Sequence, residues 1–375
     1  MRADLRDRGS TSQLAVVACL GSALLAALFT RPRLPVQFLL DDGHILRAAQ
    51  DPSTSDAASF RAIAGLYRAL GLSEAAPLAA LLGVAVFALA VVAAIGWQDM
   101  ARLDWLGLAM LVAATAIAVV YLGQFSKELV TVSLAAVTLL LPRTALGEAG
   151  VVLACVMYGL LLRPYWLLIA VAYLGLRLLQ RHRAHPLLLG AMVVAGYAVL
   201  SVLFSTVLGG GLESQREWIN AERAGTAVDT LIRGPFPEAT GPLSVLSVLV
   251  VLAMLLVPLP LLASGDPEHI AAALTICAVW ALVLRQLLRR PPRPAADAPR
   301  STANAPRAAT LLLAVVTVQA LFEPDYGSYL KHLSGLLPLA LALVPLRPLP
   351  APEQADRPAV APRGSRAAVN ATEVR

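Results

Sequence analysis

Charge is scarce in this chain: Asp, Glu, Lys and Arg supply 14% of its 375 residues, against about 25% in an ordinary soluble domain. With 58% apolar residues, that deficit excludes a water-soluble enzyme and leaves a helical protein of the lipid bilayer. Cysteine is scarcer still, and the three present, Cys19, Cys155 and Cys277, all fall inside apolar runs. None belongs to a CxxC or Cys/His spacing, so neither a disulfide framework nor a zinc site is expected. Phosphate-cradling fingerprints are missing too: Gly209-Gly210-Gly211 is a bare triplet, not a GxGxxG or Walker loop. No metal and no cofactor is therefore called for. Aromatics are few and do not interleave with basic residues. The net charge of +6 thus reads as a topology signal and an attraction to lipid headgroups, not as nucleic-acid binding.

What is present is a succession of apolar runs. Arg2, Arg6 and Arg8 precede residues 13–30, which predicts an uncleaved first span with its N-terminus in the cytoplasm. Residues 31–76 then face outward, carrying Asp41-Asp42-Gly43-His44 and an amphipathic run over 60–70 suited to short helices at the interface. Further runs cover 77–96, 104–121 and 129–142. Two shorter ones, 148–162 and 165–178, meet at Arg163-Pro164, as two short spans at a bend or as one kinked helix. After a run over 186–208, a second polar segment spans 209–242. Residues 243–263, broken by Pro258 and Pro260, are expected to dip in and return. A full crossing there would put Arg289-Arg290-Pro291-Pro292-Arg293 on the outer side, against the positive-inside bias. The expectation is an all-α polytopic membrane protein with about ten to eleven transmembrane or re-entrant helices within residues 1–346 and two larger outward-facing loops, 31–76 and 209–242. Residues 347–375 form a basic, Pro/Ala-rich tail too poor in apolar residues to fold alone.

This topology gathers the dense polar clusters on one side. The richest is Phe322-Glu323-Pro324-Asp325-Tyr326-Gly327-Ser328-Tyr329-Leu330-Lys331-His332, set between apolar runs, where ionisable groups are costly and tend to be functional. Each residue also has a plain structural use. Glu323-Pro324-Asp325 suits a turn with an Asp cap, His332 an interfacial histidine, and Asp41-Asp42 a simple turn. Ser126 can cap a helix whose dipole favours Glu128, but that leaves Lys127 at the wrong end of the dipole.

Ile219-Asn220-Ala221-Glu222-Arg223, then Ala227-Val228-Asp229-Thr230-Leu231-Ile232, a Pro-containing apolar run, and the 322–332 stretch before Leu336-Leu337-Pro338 together resemble bacterial surface-polysaccharide polymerases of the Wzy-like kind. The resemblance implies a multi-pass protein of the bacterial cytoplasmic membrane. Such a protein passes a glycan from one polyprenyl diphosphate to a repeat unit on another at the outer face. Its partners would be a polyprenyl-diphosphate-linked oligosaccharide and the bilayer, with room for a chain-length regulator. Glycosyl transfer of this kind needs a cationic clamp for the leaving diphosphate, for which Arg163, Arg223 and Lys127 are the candidates. It also needs a carboxylate to take the acceptor proton, for which Glu323 and Asp325 are the candidates. Lys331 and His332 would orient one of these acids or meet the diphosphate, and Asp41, Asp42 and His44 form a second cluster. Two other classes stay open. In a GT-C-type enzyme using a polyprenyl-phosphate sugar, Asp41-Asp42 becomes the centre; in a lipid-linked-glycan transporter or flippase no bond is made at all.

Overall fold

The structure, a computed structural model, describes residues 2–55, 57–181, 185–223, 230–289 and 300–348, with the side chains of 2–10, 300 and 301 outside that description. Residues 224–229 of the second outward loop, 290–293 of the basic run and 349–375 of the tail lie outside the described residues. Among the described residues every regular element is helical, and pairing between extended segments is confined to isolated bridges at Leu103–Leu346 and Leu231–Asp325. Six helices, Thr11–Arg33, Ala76–Ile95, Trp105–Leu122, Pro186–Leu208, Pro267–Leu288 and Thr302–Phe322, are long and apolar enough to cross a membrane, since a crossing takes about 20 residues at 1.5 Å rise. Lipid cannot satisfy open backbone groups, so an apolar chain must close its hydrogen bonds within helices. The chain is an α-helical membrane protein.

In chain order the α-helices are α1 (Arg2–Thr30), α2 (Leu40–Gln50), α3 (Ala58–Ala69), α4 (Ala76–Ile95), α5 (Trp105–Leu122), α6 (Glu128–Leu140), α7 (Ala145–Leu161) and α8 (Trp166–Arg181). They continue with α9 (Pro186–Leu203), α10 (Ser214–Glu222), α11 (Gly241–Leu256), α12 (Leu259–Ala263), α13 (Pro267–Leu288), α14 (Arg300–Phe322), α15 (Tyr326–Ser334) and α16 (Leu337–Leu341). Their starts follow from the sequence. Asp104 and Thr144 accept from the backbone N–H of Gly107 and Gly147, and Pro stands in the first turn of α4, α9, α11 and α13, where its missing N–H costs nothing. Arg163-Pro164 separates α7 from α8, which pack side by side as two helices. The post of the bundle is α14: 83% of its apolar stretch is buried within the protein, against 22% for the first span.

The bundle has two polar ends. At one, Ser12 Oγ donates to the Leu103 carbonyl (3.2 Å), Arg347 N–H donates to the Arg102 carbonyl (2.9 Å), and Asn304 reaches the Leu139 carbonyl (2.9 Å). Here also Glu148 gathers Arg177 (2.7 Å) and Arg307 (3.1 Å), while Arg307 donates to the carbonyls of Thr138, Leu141 and Pro142. That guanidinium satisfies backbone acceptors that the end of α6 leaves open. At the other end lie α2, α3, α10, residues 230–240 and the start of α15. The α11–α12 stretch starts and finishes there. Ser201 donates to the Gly241 carbonyl (3.2 Å), and the Tyr326 hydroxyl donates to the Met254 carbonyl (3.3 Å). A cavity of about 100 Å³ then brings Pro260 and His269 beside Tyr326. Consequently α13 begins at the Tyr326 end and carries Arg285 and Arg289 to the opposite one, where they share a cavity with Arg102 and Leu346.

Candidate functional site

The polar end holding α15 is assembled from four separate parts of the chain, and the first is fixed by Asp42. Its carboxylate takes two guanidinium N–H bonds from Arg31 (3.1 and 2.7 Å) and the backbone N–H of Phe125 (2.9 Å). The Tyr67 hydroxyl bonds both the N–H and the carbonyl of Ser126, and its ring meets Phe125 edge-on at 4.8 Å. These contacts fasten α2 and α3 over the turn between α5 and α6. Asp42 is buried and spoken for, a positioning residue. Asp41 and Asp42, expected as a second candidate cluster that would equally suit a plain turn, occupy the first turn of α2, where the helix dipole favours acids.

One residue earlier, Asp41 faces the other way and pairs with Lys331 from α15. Both keep part of their side chains in solvent, 28% for Asp41 and 21% for Lys331. Burial alone would raise the Asp41 pKa, but the charge and hydrogen bond of Lys331, with Lys127 and Arg163 behind it, hold the carboxyl below its ordinary value. Lys127, which the helix dipole disfavours, finds its partners across the loop. Its ammonium lies 3.5 Å from the centre of the Phe60 ring and donates to Ser59 Oγ (3.1 Å). The other face of this aromatic corner is His44, 5.3 Å from Phe60. Burial lowers the Lys127 pKa to about 8, and repulsion from Arg163 and Lys331 adds to it against the pull of Asp41. Lys127 therefore carries its charge below about pH 8 and sheds it above. An activity that needs this charge should decline on the alkaline side of about 8, and Lys127→Arg should move that limb upward by at least one pH unit. A pH–rate profile of the two proteins, with an unchanged limb counting against the role, is the measurement.

The deeper layer is an ionic ladder. Arg163, held at the α7–α8 bend, donates to Glu128 Oε1 (2.6 Å), and Thr131 donates to Glu128 Oε2 (2.8 Å). Ser126 Oγ accepts from the Glu128 N–H (3.1 Å), so the cap and the acid belong to one turn. His332 Nδ1 lies 2.8 Å from Glu323 Oε2, and Gln319 adds a long contact at 3.4 Å. Burial, then the nearby Asp325 charge, raises the Glu323 pKa well above the carboxylate range. Burial, then Arg163, pushes His332 down to about 3. Both directions favour a pair without charges, in which the protonated Glu323 carboxyl donates a hydrogen bond to a neutral His332 Nδ1. Glu323 Oε1 is buried and has no hydrogen-bond partner among the described residues. Asp325 caps α15 through the Ser328 N–H (2.7 Å), accepts from Ser328 Oγ (2.9 Å) and pairs with Arg223. Two backbone hydrogen bonds, Ile232 N–H to the Pro324 carbonyl (2.8 Å) and Tyr326 N–H to the Thr230 carbonyl (3.1 Å), bind the second outward loop to this stretch. Tyr165 and Phe322 stack beside it with ring centres 5.8 Å apart.

All the residues singled out from the sequence thus lie at one end of the bundle. Asp41, Lys127, Arg163 and Lys331 lie within electrostatic reach of one another, His332 adjoins Arg163, Lys331 and Asp41, and Glu323 joins them through His332 and Arg163, with Arg223 and Asp325 beside it. Asp42 is turned to Arg31 instead. Three contributors were not foreseen: Arg31, which the sequence did not single out; Glu128, read only as a dipole partner although it anchors Arg163; and Phe60, the seat of Lys127. A contact such as Arg163–Glu128, 35 positions apart, leaves no mark in local spacing. Among the described residues no group of three His, Cys, Asp or Glu side chains is arranged to hold a metal ion. Comparison with protein-family models, with curated proteins and with solved structures gives no match.

Proposed function

We propose that this chain is a glycosyltransferase of the bacterial cytoplasmic membrane that takes a sugar from a polyprenyl-phosphate carrier at the outer face, in the GT-C manner. The carrying observation is Asp41: a partly open carboxylate, ionised at neutral pH, on the helix that follows the first span, set against Lys331 and within reach of Lys127 and Arg163. An anionic donor would compete with Asp41 for the ammonium of Lys331. With its phosphate between Lys331 and Lys127, Asp41 is released to accept the proton of the acceptor hydroxyl. The acceptor oxygen then bonds to the anomeric carbon as the carbon–oxygen bond to phosphate breaks, and the leaving phosphate keeps the electron pair against the two ammonium groups. The Tyr165–Phe322 pair offers an apolar face for a sugar ring. In this reading the shorter apolar helices α6, α7 and α11 also enter the bilayer, and with α8 and the α15–α16 return the count approaches ten to eleven.

The polymerase reading, transfer of a whole glycan between two polyprenyl diphosphates, is favoured by one other observation. The second outward loop is hydrogen-bonded to the Glu323–Tyr326 stretch and delivers Arg223 to Asp325. That reading makes Glu323 or Asp325 the base. Purified protein in proteoliposomes, supplied with a polyprenyl-phosphate sugar and, separately, with polyprenyl-diphosphate oligosaccharide, distinguishes them. The proposal expects single-sugar addition from the monophosphate donor; long-chain product from the diphosphate donor alone would replace it with polymerisation. No glycan product from either would sink both.

A further inference from the structure

At the end of the bundle opposite Asp41 lies a cavity of about 220 Å³ lined by Arg102, Arg285, Gln286, Arg289 and the backbone-pinned segment around Leu346. Its walls are α13, the start of α14, the turn at Arg102 and the chain after α16. Arg102 is already placed: it pairs with Asp99 (2.8 Å) and donates to the Arg347 carbonyl (2.9 Å). Arg285 and Arg289 are different. Among the described residues neither guanidinium makes a hydrogen bond or an ion pair, and at a spacing of four they stand on one face of α13, where like charges repel. The acid whose charge reaches Arg285 is Asp104, and its carboxylate is occupied by the Gly107 N–H (2.8 Å). Two guanidinium groups on one helix face beside an open space, with no anionic partner among the described residues, call for an external one.

We infer that this cavity is a binding site for the phosphate headgroup of an anionic membrane phospholipid. A lipid rather than a soluble phosphate is indicated by what flanks the arginines. Leu284 and Leu288, 56% and 60% exposed, are next to Arg285 and Arg289 in sequence and repeat at the same spacing, so an apolar stripe runs alongside the basic one at the end of a membrane-length helix. Acyl chains lie along the leucines while the phosphate reaches the arginines. The volume is below the range of about 300–1,000 Å³ typical of sites for drug-sized ligands and suits a headgroup. Basic pockets between membrane helices bind anionic lipid headgroups in this manner.

The test uses the detergent-solubilised full chain, with the rise of its thermal midpoint read against added short-chain phosphatidylglycerol, phosphatidylcholine or inorganic phosphate. Phosphatidylglycerol should stabilise with a half-saturating concentration at least tenfold lower than phosphatidylcholine. The R285Q/R289Q protein should need about tenfold more of it or worse, while Arg181→Gln, on an exposed arginine of the last turn of α8, should behave as the parent. The single variants R285Q and R289Q serve if the double variant does not fold, each expected to show part of the loss. Equal response to the two lipids, an unchanged curve for the arginine variants, or inorganic phosphate matching the lipid at the same concentration would each overturn the assignment.

Discussion

Asp41→Asn should lower the rate of sugar transfer by roughly 10²- to 10⁴-fold, the usual contribution of a positioned general base, with little change in thermal stability. The asymmetry follows from the geometry. Asp41 is partly open and pairs with one lysine at the surface, and such pairs contribute about 0–1 kcal/mol. Asparagine still accepts a hydrogen bond from Lys331 but cannot take up a proton. Glu323→Gln supplies the contrast. Glu323 is buried and favours its protonated form beside His332, so a neutral amide of the same shape should cost less than about tenfold in rate. Steady-state kinetics of the two variants with their thermal midpoints is the measurement. If Glu323→Gln is the dead protein and Asp41→Asn the mild one, the base belongs to the α14–α15 stretch and the polymerase reading takes over.

The expected pH behaviour agrees with this division of labour. Asp41 is ionised throughout the neutral range because Lys331 holds its pKa down, so the acidic limb of the rate should lie well below neutrality. The alkaline limb belongs to Lys127, whose pKa burial lowers to about 8. Activity is then highest between the two, where the base is deprotonated and the clamp still charged.

The membrane helices were legible because lipid imposes one rule on every crossing residue. Runs over 77–96, 104–121 and 186–208 became α4, α5 and α9 with the pattern of their Pro and Gly flanks. The amphipathic run over 60–70 became α3, and the Pro258 break lies where the chain turns from α11 into α12. The site was legible only as a crowd. Density of ionisable groups identified the 322–332 stretch and the turns at Lys127 and Arg163, since such groups near lipid are costly whatever they touch. Which acid faces which cation was not legible. Asp41 and Asp42 are neighbours in sequence, yet one meets Lys331, 290 positions away, and the other Arg31, 11 positions away. That choice is made by the rotation of α2 on the bundle, and Tyr67 and Phe125 set it from outside the motif.

The second large effect is expected at Arg163, and it falls on stability. Arg163→Met leaves the Glu128 carboxylate fully buried with the Thr131 hydroxyl as its remaining donor. Removing one partner of a buried pair costs about 3–5 kcal/mol, because the desolvated charge that remains is uncompensated. A pair replaced as a whole by apolar side chains of similar volume is often neutral or stabilising. The double variant Arg163→Met/Glu128→Met should therefore recover most of the thermal midpoint lost by the single one. It should not recover transfer if Arg163 also lends its charge to the donor phosphate, since no cation is restored. Thermal midpoints and initial rates for the two single variants and the double one form the cycle. Should stability and activity return together in the double variant, Arg163 serves only to hold α7 and α8 against α6, and the phosphate is left to Lys127 and Lys331.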